Sequence, residues 1–468
     1  MKIGFRPYPG YKTSGVPWVG SIPAHWGMRR AKFLFRSRKE LNVGQVSTNV
    51  LSLTLRGVVN NDPDNPEGLV PASYDSYQLF RQDDLVFKLI DLENLRTSRV
   101  GLVHEDGIMS SAYIRLSLLK PGSVRFFYWQ FFDLYLRGVY NQLGAGVRAT
   151  LGPSDLLDIS LVLPPEQEQS KIVRFVDYIE RRIRRYLRAK QRLIALLSEQ
   201  RRAIIDGAVT HGLDRDVRLR PSGVAWLGSI PEHWEVRRMK HLLSEPLKYG
   251  ANEPADFSDR SWPRYIRITD VDGQGNLNED TFRSLPEALA RPYLLSDGDI
   301  LFARSGATVG KTFIYSRNHG PAAHAGYLVR ARPKTTVVHP QYLYSFLQSP
   351  GYWRWISSVT IQATIQNVSA EKYSNLSVPL PPLEEQRNIA RFLGEETRSL
   401  VLAQLRATEA IRLMSEYRQR LAVDLVTGKL DVRRAELPDE LEEGEEEHCR
   451  VEEEEEPMAD EELVLAGD

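Results

Sequence analysis

Residues 163–214 read LPPEQEQSKIVRFVDYIERRIRRYLRAKQRLIALLSEQRRAIIDGAVTHGLD, and residues 380–431 read LPPLEEQRNIARFLGEETRSLVLAQLRATEAIRLMSEYRQRLAVDLVTGKLD. The two stretches align without a gap at a constant offset of 217 residues. Each begins with two prolines followed by acids and glutamines, which is typical of a helix start because proline fits the first turn and carboxylates favour the positive N-terminus. Each ends near a glycine, Gly207 or Gly428. The sequence therefore predicts two long, related helices.

Apolar residues recur about every 3.5 positions along both stretches, which is typical of a coiled coil. In the first stretch they are Ile172, Val176, Ile179, Ile183, Tyr186, Leu193, Leu197 and Ile204, with Lys190 and Gln200 as polar interruptions. In the second they are Ile389, Leu393, Leu400, Ala403, Ala407, Ala410, Met414, Tyr417 and Leu421, with Glu396 as the interruption. Roughly 40 residues at ~1.5 Å each give a rod of about 60 Å. The alternative is that each helix packs only against its own globular neighbour. We expect instead that the two helices pack against each other.

The charge of the chain is unevenly distributed, although its formal net charge is zero. Residues 436–468 contain 17 acidic residues and one basic residue, Arg450, so the rest of the chain carries 60 bases, 44 acids and a net charge of +16. A basic body with an acidic, aromatic-free end predicts a polyanion-binding protein with a disordered C-terminal tail. The tail either shields the basic surface or is a solvated appendage.

The single cysteine, Cys449, lies in that tail, so an intrachain disulfide and a cysteine-rich zinc site are excluded. The N-terminus lacks the apolar core of a signal peptide, and no run of 18 apolar residues could span a membrane. We therefore expect a cytoplasmic protein.

A second repeat precedes the helices. Residues 14–26 read SGVPWVGSIPAHW and residues 222–234 read SGVAWLGSIPEHW. The chain is thus an internal duplication: this tryptophan motif, a globular segment and a long helix, all repeated. Trp18, Ile22 and Trp26, like their counterparts, are expected to anchor the chain on its neighbour. His25 and His233 are either catalytic or structural, and we favour a structural role beside tryptophan.

Each globular segment alternates short strand-like runs with turn residues. The predicted strands are 50–55, 85–90 and 112–118 in the first segment and 265–269, 299–303, 312–315 and 327–331 in the second. Helix-like aromatic stretches follow at 126–140 and 342–357, and each segment closes with a comparable loop at 146–153 or 363–368. The sequence predicts one α/β fold used twice, with domains at 1–162 and 215–379, helices at 163–214 and 380–431 and a tail at 432–468.

The tryptophan motif, the LPP-x-EEQ helix start, the TGKLD close and the runs YIRITDVDGQGNL (265–277) and GDILFARSGATVGKT (298–312) resemble the specificity subunits of Type I restriction–modification enzymes. The resemblance covers about residues 14–431 and leaves out the acidic tail. It implies two α/β target-recognition domains that each bind one half of a bipartite site in double-stranded DNA, joined by two long helices in an antiparallel coiled coil with pseudo-twofold symmetry. It also implies two methyltransferase subunits and restriction/translocase subunits as partners.

Motifs for catalysis are missing. Gly306-Ala-Thr-Val-Gly310-Lys311-Thr312 has three residues between its glycines where a phosphate-binding P-loop needs four, so we interpret it as a turn that faces DNA. The chain has no Asn-Pro-Pro-Tyr/Phe motif, no glycine-rich S-adenosylmethionine loop and no carboxylate–lysine nuclease cluster. We expect no catalytic, cofactor or metal site here, and the partner subunits are expected to use S-adenosylmethionine, ATP and Mg²⁺.

Candidate DNA contacts follow from residue type, since Arg and Lys suit guanine or phosphate and Asn and Gln suit adenine. They are Arg56, Lys88, Arg96, Arg99 and Arg148 in the first domain and Arg267, Thr269, Arg304, Ser305, Lys311, Gln366 and Asn367 in the second. The sequence predicts a non-catalytic DNA-recognition subunit that also carries the methyltransferase and restriction subunits. The alternatives are a DNA methyltransferase or nuclease with its own activity, and a scaffold that has lost DNA binding.

Overall fold

The computed structural model describes residues 6–54, 57–62, 71, 73–90, 99–120, 122–143, 150–272, 275–360 and 367–435. The chain divides into two compact units, one formed by Met1–Arg188 with Ile411–Asp468 and the other by Ala189–Ala410. Both unit boundaries fall inside the long helices. The second unit interrupts the first in sequence, so the first unit is built from both ends of the chain.

Among its described residues, the first unit contains short strands, three short helices and parts of both long helices. Its strands are β1 (Tyr11–Thr13), β2 (Ser21–Pro23), β3 (Gly27–Arg30), β4 (Phe35–Ser37), β5 (Leu51–Thr54), β6 (Gly57–Asn60), β7 (Gln78–Phe80), β8 (Leu85–Phe87), β9 (Val100–Leu102), β10 (Gly107–Met109), β11 (Ile114–Leu118) and β12 (Ser160–Leu163). Its short helices are α1 (Val124–Leu136), α2 (Val139–Leu143) and α3 (Pro153–Asp158). The long helices are α4 (Glu166–His211) and α9 (Leu383–Val426).

The second unit repeats this order of elements. Its strands are β13 (Leu219–Pro221), β14 (Ser229–Pro231), β15 (Glu235–Arg238), β16 (Lys248–Tyr249), β17 (Arg264–Ile266), β18 (Ile300–Ala303), β19 (Thr312–Ile314), β20 (Ala322–His324), β21 (Leu328–Ala331) and β22 (Ser377–Leu380). Its short helices are α5 (Glu287–Ala290), α6 (Pro340–Phe346), α7 (Pro350–Thr360) and α8 (Ala370–Ser374). Every strand and helix predicted above overlaps an observed one.

The central sheets of the two units have the same topology. In the first unit the strand order is β4-β11-β8-β9, and in the second it is β16-β21-β18-β19, with antiparallel neighbours throughout. The smaller sheets correspond as well, because β3 pairs with β12 as β15 pairs with β22, and β1 with β2 as β13 with β14. The prediction of one α/β fold used twice is confirmed.

The tryptophan motifs seat each domain on its long helix. Trp26 and Trp234 are buried, as are Ile22 and Ile230. Tryptophan rings bury large apolar areas, which makes them effective anchors. Gly428, near the end of α9, has a φ of +77°, and a Cβ atom there would collide with Trp26 of the first motif. Glycine is therefore needed where the helix end meets the motif.

Both motif histidines contact a glutamate in the first turn of a long helix. His25 Nε2 lies 2.8 Å from Glu168 Oε2, and His233 Nε2 lies 2.9 Å from Glu385 Oε2. The Trp234 indole N–H also donates to Glu385, at 3.0 Å. These contacts join motif to helix, which supports the structural interpretation of both histidines.

The long helices pair in opposite directions in each unit. In the first unit, Ile172 and Val176 near the start of α4 share a hydrophobic core with Leu421 and Leu425 near the end of α9. In the second unit, the end of α4 and the start of α9 share a core in the same way, through residues that include Val209 and Ile389. Since the start of one helix meets the end of the other in both units, the predicted antiparallel pairing is confirmed.

The predicted apolar interface between the two long helices is wrong at three positions. Tyr186 is 36% exposed, Leu193 is 38% exposed and Tyr417 is 55% exposed. A straight α-helix has 3.6 residues per turn, so a strict 3.5-residue pattern drifts by about 20° per heptad. The buried face of α4 follows Ile179 and Ile183 and then passes to residues such as Leu187, which packs on the core of the first unit.

Candidate nucleic-acid interface

A buried aspartate stands directly before a central strand in each domain. Asp84 precedes β8 and Asp299 precedes β18, and the two are 4% and 1% exposed. Each carboxylate accepts the backbone N–H of the residue three positions earlier, at 2.8 Å in both domains. An arginine completes each site, with Arg115 at 2.5 Å from Asp84 and Arg332 at 2.8 Å from Asp299. The two domains thus share an internal frame against which their surfaces can be compared.

Near Asp299, the second domain carries an arginine that contacts one tyrosine through its side chain and another through its backbone. The guanidinium carbon of Arg304 lies 4.8 Å from the ring centre of Tyr249 on the edge strand β16, a cation–π distance. The Tyr249 hydroxyl accepts the backbone N–H of Ala370 at 3.1 Å, which fixes the ring. The backbone N–H of Arg304 donates to the backbone carbonyl oxygen of Tyr327 at 3.1 Å, and Tyr327 is 73% exposed. We call Arg304, Tyr249 and Tyr327 the Arg304 cluster.

Two other predicted contacts adjoin this cluster. Ser305 and Asn367 form an isolated antiparallel β-bridge. The next residue, Val368, donates its N–H to the carbonyl oxygen of Arg304 at 2.8 Å. Asn367 is exposed and Ser305 is half-buried. The structure therefore brings Arg304, Ser305 and Asn367 together, while Gln366 lies outside the described residues.

The remaining predicted residues of the second domain differ in their surroundings. Lys311 and Thr269 are exposed, so both are accessible to a ligand. Arg267 instead forms a bidentate pair with the buried Asp270, at 2.6 and 3.1 Å, and donates to the Thr281 carbonyl at 3.0 Å. These bonds use the guanidinium in holding a turn, so the geometry favours a structural role for Arg267 over the predicted DNA contact.

In the first domain, Arg56, Arg96 and Arg148 lie outside the described residues. Arg99 is 1% exposed, and its guanidinium donates to the backbone carbonyls of Lys88 and Ile90 at 3.5 and 3.3 Å. A buried guanidinium bonded to the main-chain carbonyls of Lys88 and Ile90 stabilises the end of β8, so the geometry favours a structural role for Arg99 over the predicted DNA contact. Lys88 is half-buried and stays a prediction.

The sequence analysis missed a group of basic residues in the first domain. Arg36, Arg38, Arg81 and Lys120 are exposed and line an open cavity of about 510 Å³ together with the buried Asp84–Arg115 pair. The run Arg-Ser-Arg-Lys at 36–39, which begins on the edge strand β4, was the sequence feature that could have predicted this group. A cluster of cations on one sheet edge is suited to a phosphate backbone.

The glycine-rich turn at 306–312 does not form a phosphate-binding loop. Gly306–Thr308 is a single 3₁₀ turn, and the chain enters strand β19 directly at Thr312. A P-loop lysine would instead open an α-helix. No group of three or more potential metal ligands occurs in the part of the chain that the structure describes. Within those same residues, no helix is both long enough and apolar enough to cross a membrane.

A family model described as the Type I restriction modification DNA specificity domain matches residues 231–404. The EcoBI specificity subunit of a Type I restriction enzyme from Escherichia coli is 25% identical over 346 residues, which cover 72% of each chain. The MjaVIII specificity subunit from Methanocaldococcus jannaschii is 23% identical over 337 residues, or 70% of this chain and 75% of that protein.

A solved structure has a similar fold across both halves of the chain. It comes from work on complex assembly and conformational transition of the type I R-M system, and it covers 87% of this chain and 99% of its own with a TM-score of 0.59 at 17% identity. The family model covers the second domain and the first part of α9, and the solved structure aligns with most of the chain, in agreement with the duplicated architecture described above. Residues 231–404 therefore match the DNA specificity domain of Type I restriction–modification systems, and the chain is similar over most of its length to Type I restriction enzyme specificity subunits.

Proposed function

We propose that this chain is the DNA-binding specificity subunit of a Type I restriction–modification complex. Each α/β domain binds one half of a bipartite site in double-stranded DNA, and the paired helices set the separation of the half-sites. The observation that carries this proposal is the repeated sheet topology on paired antiparallel helices, combined with different side chains at the same surface of the two domains. Two domains with the same fold but different surface residues are suited to bind two different half-sites.

Methylation mapping in the host genome, with and without the gene, tests the proposal. We expect one bipartite, methylated site with an unread spacer that disappears when the gene is deleted. A map that is unchanged by the deletion would contradict the proposal. A variant in which another such domain replaces residues 235–379 should change one half of the site only, which provides an internal control because the other half must stay the same.

The partners are two methyltransferase subunits and restriction/translocase subunits. The internal duplication supports two copies of one subunit, since two similar surfaces bind two similar partners. Both units also expose apolar side chains on the long helices: Leu413 is 50% exposed in the first unit, and Leu196 is 55% exposed in the second. Exposed apolar residues on a helix favour a protein interface. Aspartate substitution of Leu196 should lower methyltransferase recovery in a pull-down without lowering DNA binding by this chain.

Catalysis is assigned to the partners, which would supply S-adenosylmethionine, ATP and Mg²⁺ chemistry, so this chain needs no cofactor of its own. The rival function is an enzyme that methylates or cuts DNA alone. Incubating the purified chain with DNA, S-adenosylmethionine, ATP and Mg²⁺ distinguishes the two, because we expect no methyl transfer and no cleavage until the partners are added. The proposed compartment is the cytoplasm.

A further inference from the structure

The duplication provides an internal comparison for every position of the domain. Arg304 lies five residues after Asp299, and Leu89 lies five residues after Asp84. The carbonyl oxygen of Arg304 accepts the N–H of Val368 at 2.8 Å, and that of Leu89 accepts the N–H of Leu151 at 3.0 Å. Arg304 and Leu89 therefore occupy the same place in the two domains.

The other members of the Arg304 cluster also have counterparts. Strand β21 aligns with β11 because Ile300 pairs with Ala331 as Leu85 pairs with Leu116. This register places Ala112 of the first domain where Tyr327 stands in the second. On the edge strands, continuing the register of β4 and β11 places Lys39 at the position of Tyr249. All three positions carry different chemistry in the two domains, although the buried aspartate beside them and its backbone hydrogen bond are retained.

An arginine at the position of Arg304 is energetically unfavourable. Leu89 is 1% exposed and belongs to the hydrophobic core, so this position of the fold suits an apolar side chain. Arg304 Nε is buried and has no hydrogen-bond acceptor among the described residues. Burying an unpaired polar N–H of a charged group is unfavourable, and stacking on Tyr249 compensates for this only in part. The Nε atoms of Arg264 and Arg330 are also buried without an acceptor among the described residues, so the feature that distinguishes Arg304 is the pairing of its terminal groups.

Arg304 also differs from the neighbouring arginines in its charge pairing. Arg264 pairs with Glu279, Arg330 with Glu245 and Arg332 with Asp299. Among the described residues, no carboxylate lies within ion-pair distance of Arg304. Its terminal N–H groups thus remain available to an external acceptor, while Tyr249 holds the plane of the guanidinium. Such a preorganised fork matches the O6 and N7 atoms of guanine in the major groove.

We propose that Arg304 recognises a guanine in the half-site bound by the second domain, and that Tyr249 orients its guanidinium. The exposed ring of Tyr327 packs against the adjacent nucleotide. The first domain carries Leu89, Lys39 and Ala112 at these positions and cannot make the same contact, so the half-sites differ at this base pair. This inference rests on the proposed function and adds the base and the residue that recognises it.

The test uses the full chain assembled with its partner subunits, on DNA selected from a random library and on the selected site with single base changes. For Arg304→Leu, which introduces the residue found in the first domain, we expect the preference for guanine to be lost at one position of one half-site. Binding to the original site should fall about 10- to 100-fold. The other half-site should not change.

Four further variants distinguish base recognition by Arg304 from a general loss of DNA binding or of folding. Lys311→Ala, an exposed cation of the same domain, should weaken binding to all sequences equally. Arg304→Lys should keep the charge but lose most of the guanine preference, because lysine cannot form the bidentate fork, and it covers the case in which Arg304→Leu fails to fold. Tyr249→Leu should lower the guanine preference more than Tyr249→Phe, which retains the ring.

Two outcomes are decisive against the inference. If Arg304→Leu and Arg304→Lys both select the unchanged site, Arg304 does not read a base, although the proposed function stands. If the unsubstituted complex selects no bipartite site, the proposed function fails and the inference fails with it.

Discussion

Gln404 and Ser198, which are 206 residues apart in sequence, are joined by a hydrogen bond across the paired helices: Gln404 Nε2 donates to Ser198 Oγ at 2.7 Å. Gln404 is 8% exposed, and the Ser198 hydroxyl also donates to the Ile194 carbonyl of its own helix at 2.8 Å. At the aligned position, 217 residues earlier, stands Leu187. A buried polar contact between two paired helices helps to fix their register.

We predict that Gln404 and Ser198 are energetically coupled through this hydrogen bond. Gln404→Ala should lower the free energy of unfolding by about 1 kcal/mol, because the bond and part of the buried side chain are lost. In a double-mutant cycle with Ser198→Ala, the coupling should be at least ~0.5 kcal/mol by urea denaturation. Ser357→Ala, an exposed serine on another helix, serves as the control. Strict additivity of Gln404→Ala and Ser198→Ala would show that the hydrogen bond contributes nothing.

The architecture was largely predictable from the sequence because the duplication is visible in it. The gapless offset between the two helical stretches, with the repeated tryptophan motif, indicates two copies of one unit, and the apolar period predicts that the helices pair. The buried positions of Trp26 and Trp234 follow from the motif as well. The predicted interface between the helices was wrong at Tyr186 and Tyr417. A 3.5-residue pattern drifts slowly around a straight helix, and the extent of that drift depends on packing rather than on residue type.

The site was only partly predictable, since the role of an arginine depends on its partners. Arg267 and Arg304 look alike in sequence, but the fold places a buried carboxylate beside Arg267 and a tyrosine ring beside Arg304. Those partners come from a turn three residues away and from an edge strand 55 residues away. Tyr327 was missed because nothing in its residue type shows that its ring is exposed rather than buried.

The aspartate before each central strand is predicted to be essential for folding. Asp299→Ala should destabilise the second unit by about 2 kcal/mol, because it removes the acceptor of the Ser296 N–H and the carboxylate that Arg332 contacts at 2.8 and 2.9 Å, although Arg332 keeps its contact with Glu245. Asp299→Asn keeps the shape and should cost less. The measurement is urea denaturation followed by tryptophan fluorescence, with the exposed Asp280→Asn as control. Equal stability of the Asp299→Ala variant and the unsubstituted chain would contradict a stabilising role.

His324 is predicted to make the second unit sensitive to acid. It is 1% exposed, its ring lies 3.1 Å from the Tyr293 carbonyl oxygen, and burial lowers its pKa to about 4 from an ordinary value of 6.5. The unfolded chain therefore binds the additional proton first, and stability is lost as the pH falls from about 6.5 towards 4. From these pKa values, His324 lowers stability by ~2 kcal/mol at about pH 5 relative to neutral pH.

The measurement for His324 is the midpoint of thermal unfolding between about pH 7.5 and pH 5. His324→Gln should flatten the pH dependence in this window, whatever its effect at neutral pH. His241→Gln, an exposed histidine of the same unit, is the matched control and should leave the dependence unchanged. An identical pH profile for His324→Gln and the parent chain would show that His324 is not the responsible group.

The acidic tail is predicted to weaken DNA binding at low salt. Removing residues 436–468 removes a net charge of −16 and leaves a body of +16. We expect tighter non-specific binding in about 50 mM salt, with the difference vanishing towards 1 M, where the Debye length falls to about 3 Å. A matched variant replaces the tail acids by their amides and should behave like the deletion. If the deletion changes neither affinity nor its salt dependence, the tail is a solvated appendage.

The length of the helix pair is predicted to set the spacer between the half-sites. Inserting one heptad into both α4 and α9 at aligned positions extends each helix by about 10 Å, or roughly three base pairs at ~3.4 Å each. The preferred spacer in a selected site should therefore lengthen by about three base pairs while both half-sites stay the same. A heptad in α4 alone breaks the match with α9, including the Gln404–Ser198 contact, and should abolish specific binding. If the doubly extended protein selects the original spacer with full affinity, the helices do not measure the site, and the spacing must instead be set by the partner subunits.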